Sequence, residues 1–275
     1  MPVDIPDLPP AVLCLSASDA TAGGGLPSDI LTLASMGCHP LPVQTASVVR
    51  DTRGIEECEP LDTDILVAQL RTVLEDIPVH AFKLGYGGSV DNLVAIAEVL
   101  SDYPGVPLVV EPALYTGVGV DEDMAAVLTE LILSQTTLLV ASRHEVLRLA
   151  GLDDDEAPAL SAEEAVARLL EIGVEYVLLT GGGDHGPQVI NVLVDASGVV
   201  RTDAWERLPG RFVGAGATIA AAAAAALAHG MALPEAVREA QEFAQQALRH
   251  AYLPGMGRAV PDRFFWARGK GAVDD

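Results

Sequence analysis

Along most of its length the chain repeats one two-part phrase: a short apolar run, then a longer stretch with apolar residues at helical spacing. AVLCLS at 11–16 is followed by LPSDILTLASMG at 26–37, and PVQTASVV at 42–49 by TDILVAQLRTVLED at 63–76. HAFKLG at 80–85 leads to NLVAIAEVLSDY at 92–103, and VPLVVEP at 106–112 to EDMAAVLTELIL at 122–133. The short runs suit buried strands, while apolar residues at i, i+3 and i+4 suit amphipathic helices. Regular alternation of the two predicts parallel strands joined by right-handed helical crossovers, an α/β fold with helices on both faces of a central, mostly parallel sheet. TLLVAS, SAEEAVARLLEIG and YVLLTGGG continue the series; QVINVLVDASGVVRTDAW at 188–205 predicts a hairpin, and two more helices follow, one after GAGAT and one in PEAVREAQEFAQQALRHAY. With no linker or repeat, one domain over residues 1–257 is expected, and 258–275, rich in Gly, Pro and charge, reads as a loosely ordered tail.

Half of the 275 residues are hydrophobic, enough for a substantial core. Thirty-nine acidic residues against 16 basic ones give a formal net charge of −23, which repels a nucleic-acid backbone or an anionic membrane over most of the surface. Neither is an expected partner. A small anion is still admissible, because a few backbone N–H groups and one or two cations set the local field. Cys14, Cys38 and Cys58 lack CxxC or Cys/His spacing and no basic-then-apolar leader opens the chain, so a reduced, cytoplasmic setting is expected, with the thiols as small apolar residues. No apolar run reaches the roughly 20 residues of a membrane span. The six histidines show no metal spacing, although His185 falls on a loop after a strand, and the acidic run at 153–156 reads as a solvated connector.

Open parallel sheets bind ligands at the carboxyl ends of their strands. Polar, glycine-rich loops stand at those ends here: SASDATAGGGLPSD, KLGYGG, VEPAL, SRHE, TGGGDHG and GAGAT. Neither the dinucleotide GxGxxG spacing nor GxxxxGK[ST] occurs. GAGAT runs directly into an alanine-rich helix, so the N–H groups of Gly214, Ala215 and Gly216 either form an anion hole at a helix N-terminus or make a tight packing turn.

In that order, SASDATAGGGLPSD, TASVVRDTRG, KLG, VEPAL, SRHE, LLTGG and GAGAT resemble the ribokinase-like small-molecule kinases, and above all the hydroxymethylpyrimidine/phosphomethylpyrimidine kinases of thiamine biosynthesis, over about residues 13–252. The resemblance implies ATP and Mg²⁺ as cosubstrate and cofactor, a homodimer, and a small pyrimidine as phosphoryl acceptor. It implies an acceptor site at Asp19, Gly23, Gly24 and Arg50, an ATP site at Ser142, Glu145, Thr180 and Gly182, and metal contacts at Glu111 and Glu145. Lys83 is either part of this site or a buried ion-pair partner. The chain departs from the family pattern at strand ends: Arg50 stands for a pyrimidine-reading Gln, Glu111 for Asp, Ser142 for Asn and Thr180 for Lys. At Ala217, where related kinases carry a Cys or Asp that takes up a proton, there is a methyl group. Two functions fit these departures. One is a kinase of the phosphomethylpyrimidine type whose acceptor is already anionic and needs no base. The other is a non-catalytic pyrimidine- or phosphate-binding homologue.

Overall fold

The first strand, β1 (Ala11–Asp19), is buried on both sides and sorts its residues by pleat: Leu13 and Leu15 join one hydrophobic cluster, Val12 and Cys14 the other. The computed structural model describes residues 8–114, 122–151, 161–181 and 185–268. Around β1 lies a nine-stranded sheet in the order β3-β2-β1-β4-β5-β6-β7-β8-β9. Its strands are β2 (His39–Arg50), β3 (Ile55–Pro60), β4 (Ala81–Leu84), β5 (Leu108–Val110), β6 (Leu138–Ser142), β7 (Tyr176–Thr180), β8 (Gln188–Asp195) and β9 (Gly198–Glu206). The pairs from β2 through β7 are parallel; β3, β8 and β9 add antiparallel edges, the last two as the predicted hairpin.

One face carries α2 (Thr63–Asp76), α3 (Val90–Ser101), α4 (Glu122–Val127), α5 (Arg143–Leu149) and α6 (Ala162–Ile172); the other carries α1 (Gly25–Ser35), α7 (Ala215–Ala228) and α8 (Leu233–Arg249). The alanines of α7 from Ala220 to Ala226 are all buried, because the helix lies between the sheet and α8. A helix that is apolar all round belongs in such a place, and methyl side chains let its backbone come close to the strands.

Two expectations are modified and one strand is added. The helix expected at 122–133 ends as α4 and continues in π geometry over Leu128–Ile132 and 3₁₀ geometry over Leu133–Gln135. Strand β3, IEECEP, was not legible as one: it is an exposed edge, where acidic side chains take the place of an apolar face and discourage pairing with another chain. The loose tail expected over 258–275 is corrected for 258–268 alone, since 269–275 lie outside the described residues. Residues 258–268 pack onto the domain, with Val260, Asp262 and Arg263 buried, the Val213 N–H donating to Ala259 O at 3.0 Å and the Asp262 N–H to Ala247 O at 2.9 Å. Composition misled because the charge of Arg263 is satisfied inside the fold.

Candidate active site

β1 connects through α1 to β2 on one side, while the chain later returns to place β4 on its other side. That reversal opens a crevice beyond the carboxyl ends of the strands. A cavity of about 370 Å³ occupies it, and Asp19, Gly24, Arg50, Glu111, Glu145, Gly214 and Ala217 line its wall. The sequence scattered these residues over nearly two hundred positions; strand-end geometry gathers them.

Asp19 organises the first loop. Its Oδ1 accepts from the Thr21 N–H at 2.8 Å and the Thr21 hydroxyl at 2.7 Å, its Oδ2 accepts from the Gly24 N–H at 2.9 Å, and an Arg50 guanidinium nitrogen lies 3.3 Å from Oδ2. Arg50 is thereby held at the cavity wall with its side chain 11% exposed. Gly23 faces the second glycine turn: a Cβ there would stand 2.6 Å from Val213 Cγ1.

Gly214 caps α7 with φ +73°, a left-handed conformation, and a Cβ on it would run into the carbonyl oxygen of Gly23. Only glycine fits both demands. The N–H groups of Ala215, Gly216 and Ala217 form the first helical turn and have no intrahelical acceptor, while the Thr218 N–H closes the helix on Gly214 O at 2.9 Å. Arg263 stitches the two glycine segments together. Its guanidinium donates to Ala22 O at 3.1 Å, Gly23 O at 3.0 Å and Thr218 Oγ1 at 3.2 Å, and burial lowers its pKa to about 10, against the pull of Asp29, so it stays charged near neutral pH.

Glu111 follows β5 and turns its carboxyl toward α7, with Oε1 3.3 Å from where a Gly216 Cβ would be. Burial raises its pKa to about 7; Lys83 opposes the rise, while Glu145 and Asp29 add to it. Lys83 itself is fully buried, its Nζ 3.0 Å from Asp29 Oδ2. Burial works against its charge, but Asp29 and Glu111 outweigh that and hold its pKa above the ordinary value. Lys83 is not a cavity-lining residue, which agrees with the ion-pair alternative.

Ser142 and Thr180 sit side by side on β6 and β7 as register partners, off the cavity wall. Glu145 Oε2 accepts from the Ser142 N–H at 2.7 Å and the Ser142 hydroxyl at 2.6 Å, and the Thr180 hydroxyl donates to Ala141 O at 3.3 Å. Gly182 and the run at 153–156 lie outside the described residues; His185 is exposed. Four residues went unnoticed in sequence. Tyr86, Cys58 and Arg258 also line the cavity, and Arg263 supports it from behind. Cys58, counted among the apolar thiols, is half-buried on β3 with its pKa raised by burial. A loop tyrosine, an edge-strand cysteine and two arginines in an apparent tail carry no local motif.

Among the described residues no group of three or more His, Cys, Asp or Glu side chains is disposed to hold a metal. A magnesium ion bound to nucleotide phosphates keeps several waters and needs only one or two carboxylates, so Glu111 and Glu145 fit that demand. No described helix is long and apolar enough to cross a membrane.

Residues 19–262 match the phosphomethylpyrimidine kinase family. The chain is 31% identical to a hydroxymethylpyrimidine/phosphomethylpyrimidine kinase of Streptomyces coelicolor, over 96% of this chain and 98% of that one. Among solved structures it is similar to an ADP complex of Bacillus subtilis pyridoxal kinase, with 25% identity and a TM-score of 0.81 over 94% of this chain and 99% of that one. It also shares its fold with the pyridoxal kinase of Staphylococcus aureus in complex with ADP, at 23% identity and a TM-score of 0.85 over 95% of this chain and 96% of that one. With the ribokinase-like sheet, the crevice and a family match across most of its length, the chain belongs to the phosphomethylpyrimidine kinase family.

Proposed function

We propose that this chain transfers the γ-phosphoryl group of ATP to the phosphate of a phosphomethylpyrimidine. The observation that carries this reading is the wall of the cavity itself: Arg50 and the α7 turn suit anions, yet residue 217 offers only a methyl group where an alcohol would need a base. A phosphomonoester loses its second proton near pH 6, so its oxygen can attack without proton transfer to the protein. In the step proposed, that oxygen bonds to the γ-phosphorus as the β–γ bridging P–O bond breaks, and ADP leaves with the electron pair. Phosphoryl transfer asks the protein for positioning and charge stabilisation rather than covalent chemistry. The Ala215, Gly216 and Ala217 N–H groups would face the migrating phosphoryl oxygens, Arg50 the acceptor phosphate, and Ser142, Thr180 and Gly182 the nucleotide. Glu111 and Glu145 would hold Mg²⁺, which supplies charge neutralisation at the phosphates when bound. A homodimer, checked by light scattering, and a cytoplasmic location belong to the same reading.

The test is ADP release with hydroxymethylpyrimidine and with its monophosphate as acceptors. The monophosphate should turn over and the alcohol scarcely. Ala217→Cys should then raise alcohol turnover by about 10²-fold, the low end of general-base assistance, and leave the monophosphate rate within a few-fold. Turnover of neither acceptor, with ATP binding undetectable by calorimetry, would leave a pyrimidine-binding protein without catalysis.

A further inference from the structure

The segment after Gly257, which the sequence presents as a tail, brings an arginine to the cavity. The Arg258 N–H donates to Thr52 O at 2.8 Å and the Gly257 N–H to the Thr52 hydroxyl at 2.9 Å, so the segment is seated on the turn between β2 and β3. A Cβ on Gly257 would collide with the backbone of Thr52, which shows how closely the two strands of chain approach. On the other side the Ala259 N–H donates to Arg211 O at 2.9 Å. The backbone of Arg258 is therefore held from both flanks, and the residue lines the same cavity as Arg50, Gly54 and Ile55.

The charges of that cavity favour a second cation for an anionic acceptor. Arg50 is already opposed by Asp19 at 3.3 Å, and Glu111 and Glu145 stand on the same wall. The chain as a whole carries −23. A phosphomonoester near neutral pH carries a charge of about −1.5 to −2, which a single, half-compensated guanidinium does not balance. Arg258 forms no ion pair with a carboxylate among the described residues, unlike Arg50, and it is exposed to solvent rather than buried in an internal network. Guanidinium forks match phosphate oxygens geometrically as well as electrostatically.

We propose that Arg258 is a specificity-determining residue that, together with Arg50, binds the phosphate already present on the acceptor and so selects the phosphomonoester over the free alcohol. This rests on the acceptor being a pyrimidine phosphate, as proposed above, and extends it to a residue from a different part of the chain. It also gives the C-terminal segment a function: its docking on Thr52 completes the acceptor site.

The experiment is calorimetric titration of hydroxymethylpyrimidine phosphate and of hydroxymethylpyrimidine, without nucleotide, into the wild type, Arg258→Gln and Arg258→Lys. Arg258→Gln should weaken the phosphate ester by about 10- to 100-fold, as expected for loss of a charge-assisted contact, and the alcohol by less than about twofold. Arg258→Lys should recover part of the loss, since it returns the charge without the fork. Because the side chain is exposed, melting temperatures should match across the set, and a matched melt keeps a binding loss from being read as unfolding. Equal weakening of both ligands, or phosphate binding unchanged in Arg258→Gln while the wild type still turns over the monophosphate, overturns the assignment of Arg258 and leaves the kinase reading standing. A wild type that binds neither pyrimidine overturns both.

Discussion

At the β1 side of the crevice, the glycine loop and the β2–β3 turn are tied to the C-terminal segment across more than two hundred positions; at the end of β6, Ser142 and Glu145 satisfy each other across three. Arg263 reaches the carbonyl of Gly23 across 240 positions, and the Gly257 N–H meets Thr52 across 205. Ser142 and Glu145, three positions apart, close a capping box on each other at the start of α5. The two sides also differ in charge. Arg50, Asp19, Arg258 and Glu111 line the cavity, whereas Thr180 and Ser142, off its wall, carry hydroxyl groups that already have partners. The contrast teaches that the β1 side of the crevice is a product of tertiary assembly, sensitive to distant substitutions, while the start of α5 is fixed by residues next to it in the chain.

The largest effect expected from breaking this contrast is at Arg263. Arg263→Met would leave the buried Gly23 O and the part-buried Ala22 O without this donor, while the Thr218 hydroxyl keeps its bond to Gly214 O, and unpaired buried groups cost about 1–3 kcal/mol each. A loss of about 3 kcal/mol in denaturant unfolding is expected, with turnover falling further than stability alone explains, because the two glycine segments beside the cavity are no longer fixed to each other. A variant with wild-type unfolding would show that the two glycine segments do not depend on this arginine.

A smaller, pH-dependent effect is expected at Glu111. Its folded-state pKa of about 7 lies above the ordinary 4.5, so the fold favours the protonated form and penalises the carboxylate. The penalty is absent below about pH 4.5, where folded and unfolded states are both protonated, grows as pH rises toward 7, and is complete above it. Glu111→Gln should therefore match the wild type near pH 4 and exceed it in stability by up to about 3 kcal/mol at pH 8. A stability difference independent of pH would contradict the assigned environment.

The smallest effect belongs to the locally built side. Ser142→Ala removes one half of the capping box and should cost about 1 kcal/mol, the usual loss for a helix cap, while the affinity for pyrimidine phosphate stays unchanged. If instead this substitution weakened the acceptor as strongly as Arg258→Gln, the two sides of the crevice would be coupled and the contrast between them would fail.

The family was legible because its motifs are local and ordered: SASDATAGGGLPSD, SRHE and GAGAT each fold into a strand end or helix start with little help from elsewhere. Asp19, Gly24, Arg50, Glu111, Glu145, Gly214 and Ala217 were all picked out from such stretches and meet at one cavity. Lys83 was legible only as a choice between two roles, since a lysine beside a strand end reads the same whether it faces a ligand or a buried Asp29. β3 escaped notice because an exposed edge strand carries no apolar alternation.

Hydrophobic period and turn chemistry act over a few residues, so the sequence alone determined the α/β class, the succession of strands and helices, the hairpin, and the glycine turn that opens α7. What only the tertiary structure decided is which charges face one another: that Asp19 opposes Arg50, that Glu111 is desolvated beside Glu145 and Lys83, and that the segment 258–268 packs onto the domain. Electrostatic and hydrogen-bond energies depend on distance in space and on exclusion of water, neither of which is written in spacing along the chain. Arg258 and Arg263 show the consequence: five residues apart in sequence, one lines the cavity and the other is locked behind it.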